Sequence, residues 1–180
     1  MNAALAFDDD TLARGIPARD TIPGFPSRPA RLTRARIEPI SDEQFQFAPD
    51  HGFATDILAV KGLGGELIEM VAWRTDAPGR WWLYEGSLPV LGEEFISLTT
   101  EIHKSKLRLV ENPLLWWRAI SAGRDDTVCV LDWSADPRPI FTGCTIVCWG
   151  ENGDALKEKL RRAAFEHAKP NWTLEVHHGA

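Results

Sequence analysis

The side chains of this sequence best suited to chemistry are carboxylates at the ends of apolar, strand-like runs and two clusters of basic residues. Glu85 follows the run Arg80-Trp-Trp-Leu-Tyr84, Asp132 follows Thr127 to Leu131, and between them lie His103, Lys104, Lys106 and Arg108. Carboxylates at strand ends can hold a divalent metal or act as a general base in phosphodiester chemistry, while neighbouring cations neutralise the phosphate. A second basic stretch, Arg28 to Arg36, includes Arg31, Arg34 and Arg36 and contains no acid. The expected site is therefore Glu85 and Asp132 for catalysis, with Arg31, Arg34, Arg36, His103, Lys104, Lys106 and Arg108 for nucleic acid. Magnesium is the cofactor that a nuclease or nucleotide hydrolase of this kind would take. The same residues also have an architectural reading: Asp132 can cap the turn before Ser134, the basic residues can form a solvated face, and the arginine-rich stretch can be an arm packed across the domain.

Other chemistries find less support. There is no Walker loop, no GxGxxG after a strand, no HExxH and no CxxC. The glycines Gly62, Gly64 and Gly65 do not lead into a helix, so they read as a hairpin turn and not as a phosphate cradle. His51, His103 and His167 are scattered, and the adjacent His177 and His178 lie in the tail, so no metal-ligand set is expected. Cys129, Cys144 and Cys148 are an odd number of cysteines in apolar runs, which reads as reduced, buried thiols. Cys144 is also a candidate nucleophile because Gly143 precedes it at a turn-prone point, although no histidine adjoins it. Eight tryptophans give the main alternative, anchors of a noncatalytic protein-binding module, with the Cys144 thiol enzyme third.

These residues must be held by a chain of 180 residues, long enough to bury one core without staples. Residues 1–36 hold four of the 12 prolines and show no apolar period, so they read as an extended arm ahead of a single mixed α/β domain at 37–180. No run reaches the roughly 18 apolar residues of a membrane span. Three aspartates follow the short apolar start, so neither a secretory signal nor a transit peptide fits, and a cytoplasmic protein is expected. A net charge of −6 argues against nonspecific coating of nucleic acid, which depends on basic residues, but not against a local basic patch.

Within the domain, the spacing predicts a short strand over 36–40 and a helical turn from Ser41 to Phe47. Ala54 to Val60 and Glu66 to Trp73 read as a hairpin, and a turn at 76–79 leads into a third strand at Arg80. A helix is expected in the second half of 88–100, then a strand at Leu107 to Val110. Asn112 and Pro113 fit the cap and first position of a helix ending at Gly123. The nearly continuous apolar run at Thr127 predicts a strand covered on both faces. Pro139 to Gly150 reads as another buried strand, and 155–168 as a helix ended by Pro170, with Glu158 and Arg162 paired on its polar side. Together these elements make a small mixed β-sheet flanked by helices.

Two stretches, Arg80 to Glu94 and Glu111 to Trp133, resemble accessory proteins of bacterial plasmids, prophages and integrative elements. Phe141-Thr-Gly-Cys144 is similar to the phenylalanine-glycine-glycine-cysteine turn of sulfiredoxins, relatives of the ParB partition proteins. Thr145 and Ile146 stand where that family has histidine and arginine, so the sulfiredoxin reaction does not carry over. The resemblance implies a ParB/sulfiredoxin-like fold and an accessory protein of the oncogenic-suppression or fertility-inhibition type. Such a protein interferes with or handles DNA transfer, with DNA, a nucleotide or a protein of the transfer apparatus as partner.

Overall fold

A computed structural model of the chain describes residues 21–22, 25–29, 31–61, 66–93, 106–124, 126–136, 138–167 and 173–177. It shows a mixed α/β protein whose chain divides into two compact units, Met1–Ser87 and Leu88–Ala180.

The described part of the first unit is built of strands. A small ribbon pairs β1 (Thr21–Ile22) with β2 (Phe25–Pro29). The main sheet contains β3 (Arg31–Pro39), β4 (Phe45–Phe47), β5 (Phe53–Lys61), β6 (Leu67–Arg74) and β7 (Ala77–Leu83), in the order β4-β3-β5-β6-β7. All four neighbouring pairs are antiparallel. A bridge between Gln44 and Leu83, with the Leu83 amide donating to the Glu43 carbonyl at 2.7 Å, ties the two edge strands and curls the sheet around its own core. That core is Ile37, Phe45, Ile57, Met70, Ala72 and Trp82. The register Ile57↔Ala72↔Trp82 places three of these on one face of adjacent strands, as the two-residue period requires.

The hairpin strands are present as the sequence predicts, but the third strand starts at Ala77, with the turn at Thr75-Asp76 and not at 76–79, and β3 is much longer than expected. It begins at Arg31, so the last six residues of the anticipated arm belong to the sheet, paired with β5 from Arg31↔Ala59 to Ile37↔Phe53. Thr33, Ala35 and Ile37 alternate with the exposed Arg34 and Arg36, and so few large apolar residues on the inner side hide this strand in the sequence. The helical turn expected at 41–47 is instead a hydroxyl-capped turn followed by a strand. Ser41 Oγ accepts from the Glu43 and Gln44 amides at 3.2 and 2.9 Å, and burial of Phe45 then favours the extended Phe-Gln-Phe of β4.

The second unit is a five-stranded sheet with helices. Its strands are β8 (Val90–Leu91), β9 (Lys106–Val110), β10 (Thr127–Val130), β11 (Thr145–Trp149) and β12 (Thr173–His177), in the order β12-β11-β9-β10-β8. The four strands from β12 to β10 run parallel, and β8 joins β10 antiparallel. Helix α1 (Pro113–Ser121) links β9 to β10, α2 (Arg138–Phe141) lies between β10 and β11, and α3 (Gly153–Glu166) links β11 to β12. Leu107, Leu109, Val128, Val130, Ile146 and Cys148 form one core with Phe141 of α2 and Leu156 and Leu160 of α3. β10 is buried at all four positions, as expected of a parallel strand covered on both faces.

Three sequence expectations change here. The single strand expected over 139–150 is a short helix, a turn and a strand, because Gly143 takes a positive φ of 79° that breaks the extended run. Glu158 pairs with Arg161 at 3.8 Å and not with Arg162. The tail supplies β12, a parallel edge strand that the sequence reading missed. The helix expected within 88–100, the glycine turn at 62–65 and the helix stop at Pro170 lie outside the described residues.

Candidate functional site

In an open parallel sheet, ligands bind beyond the carboxyl ends of the strands, where two neighbouring strands send their connections in opposite directions. In the second unit that point lies between β9 and β11. From β9 the chain crosses through α1 to β10 on one side, and from β11 it crosses through α3 to β12 on the other. Glu111 stands directly after β9, and Asn152 stands between β11 and the first residue of α3. The Asn152 side-chain amide donates to Glu111 Oε2 at 2.8 Å. The switch point is therefore occupied by a carboxylate and an amide joined across it.

Local sequence explains the placement. After Val110 the chain turns into α1 through Asn112, whose side chain accepts from the Leu115 amide at 3.0 Å, while Pro113 takes a first-turn position that needs no N–H. After Trp149, Gly150 with φ 118° turns the chain toward α3. Asn152 caps α3 by position but makes no side-chain cap bond, because its amide is turned to Glu111. Two helix N-termini, where the backbone dipole favours negative charge, thus begin beside the carboxylate.

Asp132 lies at the same edge, after the neighbouring strand β10. Its Oδ1 accepts from the Ser134 amide at 2.8 Å, the Ser134 hydroxyl at 2.6 Å and the Ala135 amide at 3.3 Å. The turn-capping role read from the sequence is therefore present in the structure. Glu85 belongs to the first unit, where its amide donates to Glu69 Oε1 at 2.9 Å and its carbonyl accepts from Gln44 Nε2 at 3.0 Å. Among the described residues, no group of three or more His, Cys, Asp or Glu is placed to hold a metal ion.

The basic candidates separate in the same way. Arg34 and Arg36 are exposed on β3, with Arg34 Nε bonded to Asp56 at 3.2 Å; Arg31 starts that strand. His103 and Lys104 lie outside the described residues. Lys106 is exposed at the start of β9, and Arg108 is half-buried two residues on. The Arg108 guanidinium sits 4.5 Å from the centre of the Trp149 ring and 3.5 Å from Asp126.

The cysteines are free and buried. Burial pushes the Cys148 thiol up to about 11 and also raises Cys129 and Cys144, which holds all three in the unreactive thiol form. Lys159, 4.2 Å over the Trp133 ring, has its pKa lowered by desolvation.

Glu111 and Asn152 were missed by the sequence reading, although the signal that singled out Asp132 applies to them. Each lies in a short turn between an apolar strand and a helix. What hid them is that strand order, and hence the switch point, is invisible in one dimension.

The second unit is of the open parallel α/β class, and the chain as a whole can be compared with solved structures. Its fold is similar to a DNA primase domain from Pseudomonas aeruginosa, with a TM-score of 0.50 and 10% identity over 73% of this chain and 47% of that one. The E. coli primase catalytic core aligns with a TM-score of 0.48 and 12% identity over 74% of this chain and 49% of its own. The chain thus spans about half the length of these structures. No protein-family model matches the sequence, and no curated protein matches it.

Proposed function

We propose that this chain handles nucleic acid or nucleotides at the carboxyl edge of its parallel sheet. The observation that carries this reading is the Glu111–Asn152 pair at the switch point between β9 and β11. The likeness to a primase domain supports it at the level of fold. Magnesium is ordinarily held by one or two carboxylates with substrate phosphates and water completing its shell. Glu111 and the Oδ2 of Asp132, at the ends of adjacent strands, suit that pattern when a nucleotide supplies the rest, since the turn engages Asp132 through Oδ1. The chemistry would be hydrolysis of a phosphodiester or nucleotide, with a bound cation stabilising the developing negative charge. Of the basic residues on β9, Arg108 lies nearer that edge, while Lys106 starts the strand at the opposite one. The finer reading is an accessory protein of a plasmid or prophage that handles or blocks DNA transfer, supported by the resemblance of Arg80 to Glu94 and Glu111 to Trp133. Its ParB-like component rests on Phe141 to Cys144 alone.

Binding of labelled single- and double-stranded DNA and of ATP, with and without magnesium, tests the proposal. Magnesium should strengthen binding or permit turnover. Glu111→Gln, which keeps the shape and loses the charge, should remove that magnesium-dependent increment and leave the magnesium-free affinity in place. Absence of any binding at low salt, in either condition, overturns the reading. A protein-binding module is then the reading left standing, and Phe165, 82% exposed on α3, is the residue to probe for it.

A further inference from the structure

One face of the central strands carries the main core of the second unit, with Ile146 and Cys148 fully buried. The alternate residues of β11, Thr145, Val147 and Trp149, point to the other face and are only half-buried. On that face Arg108 of β9 is aligned with Val147, so its side chain runs diagonally to Trp149. The guanidinium carbon of Arg108 lies 4.5 Å from the centre of the Trp149 ring, and that of Arg124, an exposed residue after α1, lies 5.9 Å from it. Two cations therefore share one indole, at the end of the strand that leads to Asn152.

Hydrogen bonding does not account for the position of Arg108. Its Nη1 is buried without an acceptor, and its Nη2 reaches Asp126 only at 3.5 Å. Charge-assisted bonds to carboxylates are shorter, about 2.7–2.9 Å. A guanidinium can stack through its face while its edge donates to a phosphate. Here Arg108 makes the stacking with its Nη1 closed to solvent, and the exposed Arg124 beside it is the guanidinium whose edge can meet a phosphate. The neighbouring Thr127, aligned with Arg108 on β10, likewise has a buried hydroxyl without a partner.

We infer that Trp149, Arg124 and Arg108 form a stacking platform for a nucleotide unit of single-stranded nucleic acid, the base lying against the indole and Arg124, the phosphate taken by the exposed edge of Arg124, and Arg108 holding the indole in place. This rests on the nucleic-acid reading above and specifies the substrate form and its contacts. Aromatic rings combined with cations are the chemistry that holds single strands without sequence preference, since every base offers a flat face. Duplex, with its bases stacked inside, offers that platform little.

Anisotropy of a labelled oligothymidylate with the full chain at low salt tests the platform. Trp149→Ala should weaken binding tenfold or more, and Trp149→Phe should keep most of the affinity. Arg124→Ala, at an exposed position, should weaken binding and reduce the slope of log affinity against log salt by about 0.7 per lost contact. An abasic oligonucleotide of the same length should bind wild-type protein as weakly as oligothymidylate binds Trp149→Ala. Unchanged affinity in Trp149→Ala or Arg124→Ala overturns the platform while leaving nucleic-acid handling intact. Should Trp149→Ala fail to fold by circular dichroism, Arg124→Ala and the abasic probe decide alone. If wild-type protein binds oligothymidylate no better than duplex, the platform is also overturned, and if it binds no nucleic acid the broader reading falls with it.

Discussion

The two units each place a glutamate at a decisive position, and the two are used in opposite ways. Glu69, on β6 of the first unit, is 1% exposed and accepts from four backbone amides: those of Met70, Tyr84 and Glu85 at 2.9 Å and that of Ser87 at 3.0 Å. It pins the chain leaving β7 to the middle of the sheet. Glu111, in the second unit, is half-buried at a strand end and is met by one side-chain amide. A carboxylate whose oxygens are filled by backbone donors is part of the architecture, because any ligand would have to displace bonds that hold the fold. A carboxylate at a sheet edge, held by a single movable side chain, can exchange that partner for a cation or a substrate. The lesson is that burial and bonding, and not residue type, separate an acid locked into the fold from one that can change partners.

The largest test of this contrast is Glu69→Ala, which leaves buried amides without an acceptor and should cost on the order of 3 kcal/mol or more in urea unfolding. Glu111→Gln should stay within about 1 kcal/mol of wild type in the same measurement, since its one bond can be kept. Equal losses in the two variants would erase the distinction. Next in size is Gly92→Ala in the second unit. Gly92 has φ 87°, and an added Cβ would meet the Thr127 carbonyl oxygen at 2.6 Å. Backbone strain of this kind costs about 1–3 kcal/mol, so the melting temperature should fall by several degrees.

The thiols sharpen the picture of the second unit's interior. A thiol reagent at pH 8 should label Cys129, Cys144 and Cys148 slowly in native protein and quickly after denaturation. The raised thiol pKa of Cys148 favours the folded state below the ordinary value of 9.0, and that contribution is lost as pH rises through about 11. Fast labelling of Cys144 alone would restore the case for a thiol enzyme.

The smallest effect is at Asp136, where a hydrogen bond from the Arg138 side chain, 2.6 Å from Nη2, holds the carboxyl down to about 2. Its stabilisation is present above the ordinary value of 3.8 and is lost as pH falls from there through about 2. Acid unfolding of Asp136→Asn should show a slightly weaker pH dependence over that range, with the variant slightly less stable than wild type at neutral pH and the two converging as pH falls through about 2.

Much of the local structure was legible in the sequence because it is set by neighbours along the chain. Asn112 and Pro113 announce α1, the period of Leu156, Leu160, Ala163 and Ala164 announces α3, and the apolar run at Thr127 announces a strand buried on both faces. Turns that compete with a periodic pattern were less legible. Gly143 inside an apolar run and Ser41 before Phe45 both required knowledge of which side chains would be buried. The sequence also determined that carboxylates and basic residues stand at strand ends, but not which of them share an edge. Only the tertiary structure decided that Asp132 and Glu111 end adjacent parallel strands, that Asn152 reaches across 41 residues to Glu111, and that Glu85 belongs to a different unit. The physical reason is that strand order is settled by long-range hydrogen bonding and by the packing of crossover helices. Neither leaves a periodic signature in the residues that meet at the switch point.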